Sequence, residues 1–224
     1  MLKPVVFLAG LGPALYLTWA ALTSNLGANP LSDYRNETGV WTLRFLCTTL
    51  AVTPLRRLSG WNAAIAFRRM LGLFAFFYAS LHFVSYVIFD RFAGLDLPDG
   101  IVSWTTVGNL AASVVDDVYK RSYITVGFAA FVAMAPLAAT STAGMIRRLG
   151  GRRWQALHRL IYVSAPAGVV HYLWLVKADI SRPLAYGIAV TLLLAVRLYW
   201  VRSKARRSTP RRTASSVSRG FKAS

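Results

Sequence analysis

The sequence predicts an all-α integral membrane protein with six transmembrane helices. Of its 224 residues, 55% are hydrophobic, which is more than a soluble core of this size needs. These residues are concentrated in six runs, most of them about twenty residues long, the length with which an α-helix crosses a bilayer. The formal net charge is +18, but the basic residues lie between the apolar runs. This pattern favours a membrane protein, and no nucleic acid is expected as a partner.

The six apolar runs define the predicted helices. The first, residues 5–23, follows a single charge at Lys3 and can be interpreted as a signal peptide or as a retained helix; its length favours the helix. The second, residues 40–55, is the shortest. The other four runs are residues 70–89, 123–142, 154–176 and 183–201.

The charged residues between the runs predict the orientation of the chain. The loops at 56–69 and 147–153 each contain four arginines and no acidic residue, whereas all eight acidic residues lie in the other loops. Short loops rich in Lys and Arg stay in the cytoplasm. We therefore expect a multi-pass protein of the bacterial inner membrane with periplasmic acidic loops and both termini cytoplasmic.

Two segments outside the runs have their own patterns. Residues 202–224 mix basic residues with Ser and Thr, which predicts a disordered cytoplasmic tail attracted to membrane lipid headgroups, after a transmembrane domain at 1–201. Residues 104–118 repeat apolar side chains at helical spacing, which predicts a short interfacial helix.

Several kinds of chemistry have no support in the sequence. The only cysteine is Cys47, so one chain cannot form a disulfide or a Cys-ligated iron–sulfur site. No P-loop, GxGxxG, HExxH or GxSxG motif is present, which argues against nucleotide hydrolysis, NAD binding and hydrolase activity. The glycines within 39–60 and 144–151 are interpreted as turn and loop residues.

Three histidines lie within the predicted spans, where ionisable side chains are costly and usually functional. His82 lies twelve residues into the third run, and His171 lies in the same half of the bilayer in the fifth run. Two imidazoles at matched depth on different helices are the arrangement that clamps a haem. The alternative is a satisfied hydrogen bond between helices. The aromatic residues expected to pack against a haem are Phe74, Phe76, Phe77, Phe83, Tyr86, Tyr162, Tyr172 and Trp174.

His158 also lies in the fifth run but has no histidine partner at its depth on the third. Thirteen residues separate it from His171, about 20 Å of helix, so the two cannot bind one iron. Three interpretations stay open. His158 binds a second haem with an unusual or missing sixth ligand, contacts a quinone or flavin, or caps local polar groups.

The motifs around these histidines resemble the MsrQ family, formerly YedZ, the haem-binding membrane subunits of periplasmic methionine sulfoxide reductase systems. The most specific stretches are Thr-Ser-Thr at 140–142, Arg-Trp-Gln-Ala-Leu-His-Arg-Leu-Ile-Tyr at 153–162 and His-Tyr-Leu-Trp-Leu-Val-Lys at 171–177. The resemblance covers nearly everything from Leu11 to Trp200. One departure is Ser122, where relatives usually have proline.

The resemblance implies a ferric-reductase-like six-helix domain that binds FMN and one or two b-type haems. Their axial ligands would be His82, His158 and His171. It also implies an electron-transfer subunit without catalysis of its own, which passes electrons from the respiratory quinone pool to a periplasmic, MsrP-like molybdenum-cofactor subunit. That partner reduces methionine sulfoxide and so repairs oxidised proteins.

Two alternatives belong to other functional classes. The first is a stand-alone transmembrane b-type cytochrome or ferric reductase, fed by a cytosolic flavin reductase. The second is a transporter with histidines as proton relays, which would show no visible chromophore.

Overall fold

A computed structural model of the chain describes residues 2–23, 25–93 and 102–208, with side chains as far as Ser203. The helices are α1 (Leu2–Leu22), α2 (Pro30–Ser59), α3 (Ile65–Tyr86), α4 (Trp104–Lys120), α5 (Ser122–Ala139), α6 (Ala143–Leu157), α7 (Ile161–Leu175) and α8 (Ser181–Ser208). A 3-10 turn, Asn62–Ala64, precedes α3, and a π-helical segment, Val87–Phe92, extends it. A second 3-10 turn, His158–Leu160, joins α6 to α7.

The buried core is formed by six helices. Its residues come from α1, α2, α3, α5, α7 and α8, and none comes from α4 or α6. Within the described ranges, four segments are long and apolar enough to cross a membrane: α1, Asn62–Phe92 around α3, α5, and α8 as far as Ser203. Helix α7 is shorter, with 15 residues, and α2 carries charged residues in its first and last turns. The predicted all-α transmembrane fold is therefore confirmed.

Helix α2 is longer than the apolar run that predicted it. The side chain of Asn29 accepts a hydrogen bond from the Ser32 N–H, and Pro30 occupies the first turn, where its missing N–H costs nothing. Gly60 ends the helix in the left-handed conformation, with φ 71°. Gly39 therefore lies inside α2. Its interpretation as a turn residue was wrong, because the capping signal at Asn29 starts the helix well before the apolar run.

Helix α1 is bound to the bundle by Tyr78 of α3. Pro13 lies inside α1 and weakens its hydrogen-bond ladder. The Tyr78 hydroxyl accepts a hydrogen bond from the Ala14 N–H at 2.9 Å and donates one to the Gly10 carbonyl at 2.9 Å. Tyr78 is fully buried. Helix α1 is therefore an integral part of the packed core.

The structure confirms one of the two segments predicted outside the spans and changes the start of the other. The helix predicted at 104–118 is confirmed as α4, capped by the Ser103 side chain. Helix α8 continues to Ser208, so the tail boundary predicted at residue 202 was placed too early, because Arg, Lys and Ala favour helix and no Gly or Pro interrupts them. Residues 209–224 of the predicted tail lie outside the described residues.

The two ends of the bundle differ in charge. We call one the acidic end; its described acidic residues are Asp33, Glu37, Asp90, Asp116, Asp117 and Asp179. We call the other the arginine-rich end; its arginines include Arg56, Arg57, Arg68, Arg69, Arg147, Arg148, Arg152 and Arg153. Every ion pair among the described residues lies at the acidic end.

Candidate cofactor site

His82 of α3 and His171 of α7 face each other in a cavity between α2, α3, α5 and α7. The cavity has a volume of about 1110 Å³. The two ring centroids are 6.0 Å apart, and the ring planes are inclined by 75°. One metal ion bound to a nitrogen of each ring, with bonds of about 2 Å, needs a centroid separation of about 6 Å. The pair thus has the spacing with which two imidazoles could hold one metal ion between them.

Each of these imidazoles is oriented by a backbone carbonyl of a neighbouring helix. His82 Nδ1 lies 2.8 Å from the carbonyl oxygen of Arg35 on α2, and His171 Nδ1 lies 2.7 Å from that of Tyr123 on α5. A carbonyl only accepts, so each Nδ1 carries the proton and donates it. Each Nε2 keeps its lone pair, the state in which a neutral histidine binds a metal.

Two glycines give the imidazoles access to these carbonyls. A Cβ atom at Gly39 would lie 3.1 Å from His82 Nδ1, and one at Gly127 would lie 2.5 Å from His171 Nδ1. In both helices the glycine follows the accepting carbonyl by four residues, which places it directly beside that carbonyl along the helix. Neither glycine was predicted as a site residue. A glycine inside a predicted span, such as Gly127, was the available signal, because it marks a close approach.

Charged side chains line the cavity at the acidic end. Arg35 forms an ion pair with Asp90, and Arg182 lies 3.9 Å from Glu37. Asp117 of α4 is buried, with 5% exposure, and three donors surround it. These are Tyr86 Oη at 2.6 Å, Arg91, and Arg121 at 3.2 Å. Asp117 therefore ties α4 to the end of α3 and the start of α5.

The aromatic lining differs in part from the prediction. Of the eight aromatic residues expected beside a cofactor, Phe83, Tyr86 and Tyr172 line the cavity. Phe74 instead stacks on Phe45 in the core, with centroids 5.3 Å apart. The others that do not line the cavity are Phe76, Phe77, Tyr162 and Trp174. Helix α5 contributes aromatic residues that the sequence analysis missed, because it carries no histidine to mark its inward face. These are Tyr123, Phe128 and Phe131.

His158 lies apart from the facing pair, in the 3-10 turn before α7 at the arginine-rich end. Its ring stacks on Trp154 with centroids 4.0 Å apart, and its Nε2 lies 3.3 Å from Thr140 Oγ1. Trp154 Nε1 donates to the Thr140 carbonyl at 3.0 Å. Across the described part of the chain, no group of three or more His, Cys, Asp or Glu side chains forms a metal site. The three predicted site residues form one pair and one separate histidine.

Comparisons with known proteins agree with this architecture. Residues 38–169 match the family described as ferric reductase like transmembrane component. The protein-methionine-sulfoxide reductase heme-binding subunit MsrQ of Herminiimonas arsenicoxydans is 49% identical over 206 residues, covering 91% of this chain and 87% of the relative. The subunit of the same name from Ralstonia nicotianae is 50% identical over 198 residues, covering 88% and 84%. No solved structure matches the chain. The chain therefore belongs to the MsrQ family, within the ferric reductase like transmembrane components.

Proposed function

We propose that the chain binds haem b between His82 and His171 and transfers electrons across a bacterial inner membrane to a protein-methionine-sulfoxide reductase. One observation carries the proposal: the facing pair whose Nδ1 atoms are both engaged by backbone carbonyls. The names of the relatives, haem-binding subunits of protein-methionine-sulfoxide reductase, support it. The chain's own work is to hold cofactors, and the reduction of methionine sulfoxide belongs to its partner.

The residues around the pair fit a haem better than a bare metal ion. Two histidines supply only two ligands, and a macrocycle supplies the other four. Phe83, Phe128 and Phe131 offer apolar ring faces along the cavity. Arg121 and Arg182 would hold the propionates, because both line the cavity and their side chains are 50% and 69% exposed at its acidic end. When bound, the haem supplies a one-electron redox couple.

The protein's own groups prepare the site for that cofactor. The carbonyls of Arg35 and Tyr123 fix the Nδ1–H tautomers and raise the basicity of each Nε2. Both imidazoles are partly buried between four helices, which would limit the access of water to a bound cofactor. Because both rings are held from behind by rigid helices, little rearrangement accompanies ligation or a change of redox state.

The proposed orientation of the chain follows from the charges of its loops, and the direction of electron flow is the one that the resemblance to the family implies. The arginine-rich loops favour a cytoplasmic position, which places both termini in the cytoplasm and the acidic end in the periplasm. His82 and His171 would then lie in the periplasmic half. Electrons would enter from the quinone pool and leave at the acidic end to a soluble, MsrP-like molybdenum-cofactor subunit.

His158 is proposed to hold a second cofactor at the cytoplasmic end, a second haem or FMN. About 20 Å of helix separates it from His171, so the two centres would be distinct. The Thr140 hydroxyl donates its proton to the Pro136 carbonyl at 2.6 Å, so its oxygen accepts a hydrogen bond from the Nε2–H of His158 at 3.3 Å. Metal binding at Nε2 would therefore require the other tautomer of His158.

The absorption spectrum of the purified full chain tests the function. We expect the spectrum of a b-type haem after reduction with dithionite. The variants His82→Ala and His171→Ala should each lose the same haem. His158→Ala should leave that haem bound and affect only the second cofactor. A wild-type chain without haem would contradict the proposal, as would full low-spin haem content in either of the first two variants. The electron donor is identified by comparing the rate at which quinol reduces the bound haem with the rate at which a flavin reductase and NADPH reduce it.

A further inference from the structure

Arg197 lies on the inward face of α8. Val190 is buried, and Leu193 and Leu194 pack against the core. Arg197 follows them at the helical spacing that continues this stripe. Its neighbours Val196 and Leu198 are 37% and 50% exposed. An arginine that faced lipid or the membrane interface would lie on the exposed side of α8 with Val196 and Leu198. Arg197 instead points into the bundle.

The guanidinium of Arg197 is incompletely satisfied. Its Nη1 is buried and has no hydrogen-bond partner among the described residues. Its Cζ lies 5.0 Å from the centroid of the Tyr162 ring, a favourable contact for a cation that uses none of its donors. A buried charged donor without a partner costs more than an ordinary polar group. The site therefore lacks an acceptor at Nη1.

Arg68 of α3 adds a second positive charge to the same region. It is partly buried and lies within electrostatic range of Arg197, Tyr162 and His158. Three other arginines of the same end, Arg69, Arg152 and Arg153, are exposed. Every described carboxylate that forms an ion pair does so at the opposite end of the bundle. Arg68 and Arg197 thus bring two positive charges to one region, where no described carboxylate pairs with them.

This cation pair lies beside the separate histidine. Tyr162, at the start of α7, lies about one turn after His158. Arg197 lies over the Tyr162 ring, and Arg68 lies within electrostatic range of His158. An anion placed at the two guanidinium groups would lie next to a cofactor held at His158.

We propose that Arg68 and Arg197 bind the oxyanion group of the cofactor at His158, either the phosphate of FMN or a haem propionate. Both groups match the fork of guanidinium donors, which binds phosphate and carboxylate bidentately. The proposal rests on the second cofactor of the proposed function and adds the residues that recognise it. It also gives the buried Nη1 of Arg197 its acceptor.

The test uses the purified full chain in detergent with the variants Arg197→Gln, Arg197→Lys and Arg68→Gln. Arg153→Gln is the matched control, because Arg153 is an exposed arginine of the same end. The haem-to-protein ratio and the binding of FMN and of riboflavin, which lacks the phosphate, are measured for each protein. The spectrum of the His82 and His171 haem reports that a variant is folded.

The two anion sources give different results. If the anion is a propionate, Arg197→Gln loses the haem that His158→Ala loses and keeps the His82 and His171 haem. If it is the flavin phosphate, Arg197→Gln binds FMN at least about 30-fold more weakly, whereas riboflavin binding is unchanged. In either case Arg153→Gln behaves as the wild type, and Arg197→Lys restores binding only in part because it lacks the fork.

Three results would overturn the proposal. The first is wild-type haem content and FMN affinity in Arg197→Gln and Arg68→Gln, which would exclude these arginines as anion ligands without contradicting a second cofactor at His158. A loss confined to co-purifying phosphatidylglycerol, measured by native mass spectrometry, would identify a lipid site instead. A wild-type chain that holds only the His82 and His171 haem would contradict the second cofactor itself, and the proposal with it.

Discussion

His171 Nδ1 lies 2.5 Å from the position that a Cβ atom would occupy at Gly127, so this imidazole occupies the space of a side chain that is absent from α5. His82 relates to Gly39 of α2 in the same way, at 3.1 Å. Both rings thereby reach a backbone carbonyl that is already part of a helix. The same device, used twice, holds the two candidate ligands from opposite sides of the cavity.

Substitution of Gly127 by alanine should weaken haem binding. The added methyl group displaces the ring and breaks its bond to the Tyr123 carbonyl, and loss of such an orienting partner typically costs 10–100-fold in metal affinity. Gly39→Ala should have a smaller effect, because its contact is longer. Haem titration of the purified variants measures both. Gly12→Ala is the control, because a Cβ atom there would meet nothing within 4 Å. Equal haem affinity in all three variants would show that the space left by Gly39 and Gly127 does not matter for haem binding.

Neutralisation of Asp117 should destabilise the acidic end of the bundle. Its carboxylate is 7% exposed and pairs with Arg91 and Arg121, and removal of one partner from a buried ion pair costs roughly 3–5 kcal/mol. Asp116→Asn is the matched control, because Asp116 pairs with Lys120 and the two side chains are 52% and 67% exposed, respectively. Such exposed pairs contribute about 0–1 kcal/mol to stability. Thermal unfolding in detergent compares the two. Similar midpoints for both variants would show that the Asp117 network is not structural.

The orientation of the chain is tested by reporter fusions. We expect a reporter placed after Ser224 to be active only in the cytoplasm and one placed within the loop after Phe92 to be active only in the periplasm, because the arginine-rich loops are retained inside. Activity of the first reporter in the periplasm would invert the topology. It would also move the His82 and His171 site to the cytoplasmic half.

The segment 90–122, which contains five of the eight acidic residues, is the expected docking surface for the soluble reductase. We predict that joint neutralisation of Asp96, Asp99 and Asp116 slows quinol-dependent reduction of the partner at low salt, and that high salt reduces the difference, because rim charges act mainly on the association rate. Asp117 is left intact, since it is buried and paired inside the protein. An unchanged rate at both salt concentrations, with haem content intact, would exclude these residues from docking.

The sequence by itself determined the membrane fold, the charge asymmetry of the two ends and the matched depth of His82 and His171. These properties depend on the length of the apolar runs and on the cost of placing charges within them, and both can be counted along the chain. The same counting could not place the start of α2, because its first turns are polar and depend on a cap at Asn29.

Only the tertiary structure decided which groups meet across helices. It brought the ring centroids of His82 and His171 to 6.0 Å and placed Gly39 and Gly127 behind them. It also set Arg197 at the inward face, where its Nη1 has no partner in the described part of the chain. The rotation of each helix about its axis is fixed by packing against its neighbours. That rotation is a property of the whole bundle, so a residue's spacing along one helix does not reveal what it faces on another.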